Sequence, residues 1–134
     1  VSLNRHQIRQ SAFQTLFALS SNSGADVNAI YEQVLGETQE VPDYLVKLVD
    51  GVVANQDDID ETIESLLAKN WRLSRLAKTD LVILRIALFE IKFVDDVPDA
   101  VAINEALELT KMFSDDKSKK FVNGVLGNYE KQNS

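Results

Sequence analysis

The stretch at residues 81–93 (LVILRIALFEIKF) constrains the fold more than any other, because only Arg85, Glu90 and Lys92 interrupt its apolar character. A helix that is apolar nearly all round has no face to give to water, so it belongs at the centre of other helices. Its unbroken apolar runs, 81–84 and 86–89, are four residues each. That is far short of the roughly 20 residues needed to span a bilayer, and too short for a signal-peptide core. The rest of the chain is therefore expected to wrap a central helix, in the cytoplasm.

Helical periodicity runs through the remainder. Residues 3–20 read as a first helix with Ile8, Ala12, Leu16 and Leu19 as its buried stripe. The SSNSG segment at 20–24 is a loop. A short helix runs over 27–35 and stops at Gly36, and Pro42 fits the first turn of the next helix. There Tyr44, Leu45, Leu48, Val49, Val52 and Val53 keep the helical spacing, and Ile59, Ile63, Leu66 and Leu67 continue it beyond the acidic stretch 57–61. That stretch is either a break or a kink. Asn70 closes the unit, a short helical segment follows at 71–76, and Thr79 or Asp80 caps the central helix. Val97-Pro98 ends it, Asp99 precedes the next helix, and Ser114 or Asp116 starts the last one. No segment alternates with period two between turn dipeptides, so no strand is assigned. The expectation is a single all-α domain over residues 1–134 with six or seven helices, in sub-bundles of about 1–70 and 71–134.

With 45% apolar residues in 134, the chain can bury a core without covalent staples. Cysteine is absent, which excludes disulfides and thiolate metal sites. The net charge of −7 argues against a general polyanion binder, but the distribution is uneven. Residues 1–25 hold Arg5 and Arg9 and no acid, and Lys117, Lys119 and Lys120 form a second basic cluster. Screening over about 8–10 Å makes the local patch, not the total, what a docked phosphate feels.

Catalytic chemistry finds little support. The single histidine, His6, lies among no acids in sequence, so a nucleophile–base arrangement has no foundation. The run Asp57, Asp58, Asp60, Glu61 lacks the spacing of a calcium loop and reads as a solvated helix face or helix start. Glu105 and Glu108 have no histidine-containing partner motif for a two-metal site. Gly124 and Gly127 follow no strand, so they make no phosphate loop; close helix packing or helix termination is their expected work. No metal, cofactor or enzymatic activity is expected.

The first helix carries the clearest binding pattern. At about 100° per residue, Arg5, Arg9, Phe13 and Phe17 share one row, with His6, Gln10 and Gln14 beside it. Cations, amides and rings together suit single-stranded RNA, where phosphates are neutralised, base edges read and bases stacked. A competing reading makes both phenylalanines core and the arginines merely solvated. Phe13 lies nearer the buried stripe and Phe17 further out. The KSKKF segment at 117–121 repeats the pattern at the start of the last helix, where backbone N–H groups also attract anions. It too reads equally as an ordinary basic turn beside a core phenylalanine.

Several strings in order carry a resemblance: RQSAFQTLF at 9–17, LVDGVVAN at 48–55, TDLVILRIALFE at 79–90, DVP at 96–98, VAINEALEL at 101–109 and KFVNGVL at 120–126. Together they resemble the NusB family of bacterial transcription antitermination factors, over nearly the whole chain. The resemblance implies an all-helical fold of two three-helix bundles. It implies binding of the boxA element of ribosomal RNA leader transcripts, jointly with the NusE small-subunit ribosomal protein. Through that complex it implies contact with other Nus factors and RNA polymerase. It places RNA contacts at Arg5, His6, Arg9, Gln14, Phe17, Lys120 and Phe121, to which the basic segment itself adds Lys117, and a protein-partner contact at Asp80. Fewer arginines stand in this amino-terminal segment than in the family's most basic members, which implies dependence on the protein partner for tight binding.

Two other readings share these features. NusB-like modules also precede ribosomal RNA cytosine methyltransferases, which would require a further α/β region beyond Ser134. A scaffold or oligomer without an RNA role is the other; the resemblance also implies a possible homodimer through the RNA-binding face, an off state with which RNA would compete.

Overall fold

The computed structural model describes residues 2–37 and 39–133. Among them are seven α-helices: α1 (Arg5–Ser21), α2 (Val27–Leu35), α3 (Asp43–Ala54), α4 (Gln56–Leu66), α5 (Lys78–Phe93), α6 (Asp99–Phe113) and α7 (Asp116–Gln132). A single 3-10 turn, Leu73–Arg75, stands where the short segment at 71–76 was expected. No strand occurs among the described residues.

α5 is the centre. It packs against α1, α3, α4, α6 and α7. Val82, Ile83, Leu84, Ile86, Ala87, Leu88 and Phe89 are all buried along it. Truncating one such leucine to alanine costs about 2–5 kcal/mol in cores of this kind. α1 packs against both α2 and α3, and α5, α6 and α7 pack on one another, while α4 rests against α5 and α7 as well as α3.

Every polar side chain on the stretch 81–93 meets a partner from a distant part of the chain. Arg85 forks onto Asp60, with Nε–Oδ1 and Nη2–Oδ2 both at 2.8 Å. Lys92 reaches Asp58 and Thr62, each at 2.9 Å. Glu90 accepts from Arg9 and from Tyr44. Two carboxylates of the acidic run are thus structural partners of α5 rather than merely solvated.

Local chemistry explains the helix boundaries. Asn4 caps α1 reciprocally with Gln7, so the helix begins at Arg5 rather than at residue 3. Asp26 caps α2, and Gly36, at φ 97°, ends it. The choice between break and kink resolves as a break. Asn55 separates α3 from α4, just ahead of the acidic stretch. Both prolines are N-caps, Pro42 for α3 and Pro98 for α6. Thr79 and Asp80 do not cap α5. It starts one turn earlier, after Ala77, with no side-chain cap.

The glycine expectation is overturned. Gly124 and Gly127 sit within α7, with nothing within 4 Å of where a side-chain carbon would be. Neither packs closely nor ends a helix. The glycine that does pack closely is Gly51 on α3, against the Phe89 ring of α5.

Candidate nucleic-acid interface

The capping box holds the first turn of α1 and with it Arg5, which is exposed. The Arg5 guanidinium lies 3.5 Å from the centroid of the Tyr44 ring, a cation–π stack against α3. Next to it, half-buried His6 meets Glu105 of α6 through Nδ1 at 2.8 Å and Gln10 through Nε2 at 2.8 Å. The acid-free segment of sequence is therefore not acid-free in space.

Arg9 departs most from the sequence expectation. It is 4% exposed. Its Nε donates to both oxygens of Glu90 at 3.0 Å, and its Nη1 stands 3.8 Å from Glu105. Burial works against its charge, yet the hydrogen bond and charge of Glu90, followed by Glu105 and Tyr44, hold its pKa above the ordinary arginine value. A cation so enclosed is neutralised from below and offers almost no surface to a phosphate. Glu90 is in turn shared with the Tyr44 hydroxyl at 2.5 Å. Burial, then this bond to Glu90, push the Tyr44 pKa upward.

Further along α1 the two phenylalanines part company as their spacing suggested. Phe13 is buried and stacks on Phe113 of α6 at 4.3 Å between centroids. Phe17 is half-buried, tilted against Phe13 at 5.7 Å, with Lys78 of α5 5.7 Å from its centroid. Lys78 also donates to Ser21 at 3.1 Å. Gln14 is exposed.

The start of α5 links this end of α1 to the start of α7. Lys78 touches Phe17, and Asp80, one turn into α5, lies close to Ser118 of α7. Lys117 and Lys120 flank that serine and are exposed, and Phe121 is half-buried against the core. Asp115 caps α7 by accepting from Ser118 N at 2.9 Å, and Asp116 follows in the first turn. Carboxylates thus already serve this helix end, and its pull on an anion comes from the lysines.

Asp80, expected as an acidic contact for a protein, is buried instead, and its Oδ1 has no hydrogen-bond partner among the described residues. Burial raises its pKa, the Ser118 hydrogen bond opposes this, and the charge of Asp115 adds to it. Its position suits a junction between α5 and α7 better than an open surface.

Sequence reasoning passed over Lys78, although a signal was present. Residues 65–79 contain Lys69, Arg72, Arg75 and Lys78 and no acid, and Trp71 among them is 52% exposed. It also passed over Tyr44, Glu90 and Glu105 as supports of α1, because their partners lie in other helices. No group of three or more histidine or acidic side chains placed to hold a metal occurs among the described residues. No helix there is long and apolar enough to cross a membrane.

Comparison with known proteins bears on what this arrangement is. The sequence profile of the NusB family matches residues 6–131. The transcription antitermination protein NusB of Limosilactobacillus reuteri (strain DSM 20016) is 59% identical over 133 residues, covering 98% of this chain and 96% of the relative. That of Lactiplantibacillus plantarum is 56% identical over 131 residues, covering 95% and 94%. Among solved structures, T. maritima NusB superposes with a TM-score of 0.87 at 32% identity, covering 98% of this chain and 94% of the other. A crystal structure of the antitermination factors NusB and NusE in complex with double-stranded RNA gives a TM-score of 0.80 at 28% identity, covering 94% and 96%. Agreement of sequence over nearly the full length, together with the match in fold, leaves one conclusion: this chain belongs to the NusB family.

Proposed function

We propose that the chain is a transcription antitermination factor, acting in the cytoplasm without enzymatic activity. It binds single-stranded boxA RNA of ribosomal RNA leader transcripts together with the NusE ribosomal protein, and joins other Nus factors on RNA polymerase. The RNA path runs along α1 from Arg5 past Gln14 to Phe17, then over the first turn of α7 at Lys117, Lys120 and Phe121. Lys78 lies between these two parts and joins the contact set. Arg9 belongs to it as an internal support, and His6 as a neighbour already bonded to Glu105. Asp80 shapes the junction on which the protein partner docks. The halves at about 1–70 and 71–134 act as two sub-bundles that together present this face.

The observation that carries this reading is the bridge at the start of α5. It sets Lys78 beside the half-buried Phe17 ring of α1 and brings Asp80, two residues on, close to Ser118 in the lysine-rich first turn of α7, on a chain whose net charge is −7. The double-stranded RNA complex of the related NusB and NusE supports the partner assignment. The test is a titration of boxA RNA with the full chain, with and without NusE, across salt. Saturable binding strengthened by NusE is expected. Absence of binding under both conditions removes the reading.

A further inference from the structure

Two chains of contacts lead from the buried Arg9 to the exposed first turn of α1. One runs through Glu90, which takes Arg9 Nε at 3.0 Å and the Tyr44 hydroxyl at 2.5 Å, to the Tyr44 ring beneath Arg5 at 3.5 Å. The other runs through Glu105, 3.8 Å from Arg9 Nη1 and 2.8 Å from His6 Nδ1, and on to Gln10. Arg5 and His6 are thereby each tied to the same buried guanidinium through one carboxylate. The supports come from α3, α5 and α6, so they fix the turn relative to the whole bundle.

We infer that Tyr44 and Arg9 are positioning residues for RNA binding: they touch no RNA themselves but hold Arg5 over the Tyr44 ring, in the place where it meets phosphate. This rests on the RNA-binding reading above. The physical reason is conformational. A free arginine side chain must be immobilised when it binds, and one already parked on a ring has lost much of that freedom beforehand. Tyr44 can serve as the platform only if its ring is itself fixed. Glu90 fixes it through the hydroxyl, and Arg9 holds Glu90 in place by donating to both of its oxygens.

The test is a double-mutant cycle on boxA RNA affinity, measured with the full chain and NusE over a salt series, with the unfolding midpoint of each variant recorded. Arg5→Gln should weaken binding and make the salt slope shallower by about 0.7, one phosphate contact on a single strand. Tyr44→Leu should weaken binding about three- to tenfold, the immobilisation cost of one long side chain, with the slope unchanged. Combined with Arg5→Gln it should add almost nothing, since the residue it positions is gone. Tyr44→Phe, which keeps the ring and the fold, should show a smaller loss with the same non-additivity. Arg9→Lys should lower affinity without changing the slope. The inference is overturned if the Tyr44 and Arg5 losses add in full, if the Tyr44 variants bind normally, or if Arg9→Lys makes the slope shallower. Failure of the unaltered chain to bind would instead remove the RNA reading itself, so the two failures are distinguishable.

Discussion

Gly51 of α3 lies directly under the ring of Phe89 on α5, so close that a methyl group on Gly51 would overlap the ring. Phe89 is buried and has little room to withdraw. Gly51→Ala should therefore destabilise the fold by about 1–3 kcal/mol, as overpacking does, despite alanine's better helix propensity. Gly124→Ala and Gly127→Ala, with open space around them, should stabilise by up to about 1 kcal/mol. Urea unfolding of the three variants checks the contrast.

The fork between Arg85 and Asp60 is largely screened from water, with side chains 12% and 18% exposed. Asp60→Ala should cost about 1.5–3 kcal/mol, the range for hydrogen bonds to charged groups. Glu64→Ala loses a partner of Arg72, whose side chain is 74% exposed, and should cost well under about 1 kcal/mol. Unfolding midpoints compared at low and high salt separate the two.

Asp80 gives a pH prediction. Its folded pKa is raised, chiefly by burial, above the ordinary aspartate value of 3.8. Between that value and the folded one, the native state binds more protons than the unfolded state, so stability falls as pH rises through the window. Asp80→Asn should remove this dependence and raise the thermal midpoint at pH 7, with the gain shrinking toward pH 4. A variant less stable at pH 7 than the unaltered chain would contradict it.

RNA binding should show a shallow salt dependence. Arg5, Lys78, Lys117 and Lys120 as phosphate contacts give a slope near −3 on a single strand. Lys78→Gln and Lys120→Gln should each reduce its magnitude by about 0.7.

Phe17→Ala should weaken RNA binding by about 1–3 kcal/mol, the value of one stacked base. Its stability cost should stay below that of Phe13→Ala, because Phe17 is half-buried and Phe13 is enclosed and stacked on Phe113. Calorimetry of both variants beside RNA titrations distinguishes the roles.

Much of the fold was legible in the sequence where local chemistry decides it. The range 27–35 expected for α2 matches the structure, where Gly36 ends it as expected and Asp26, unremarked in the sequence, caps its start. α5 was recognised as central because three polar residues cannot give a helix a wet face. Its start was misplaced because α5 begins after Ala77 with no capping side chain, while Thr79 and Asp80 look like caps. Arg9 was read as exposed because periodicity sees only the residue's own helix. What buries it is Glu90, 81 residues away. The same limit hid Gly51, whose significance lies entirely in Phe89, and made Gly124 and Gly127 seem more constrained than they are.

The three charges along α5 have a mechanical meaning. Arg85 and Lys92 are locked to α4, and Glu90 to α1 and α3. A slip of one residue along the axis turns a helix by about 100° and would strand all three at once. The shaft of the molecule is keyed, unable to slide or spin by small steps. Whatever docks across the junction of α1, α5 and α7 therefore meets a preset surface. Adjustments on binding are confined to side chains such as Phe17 and Lys78, which stand on that rigid frame.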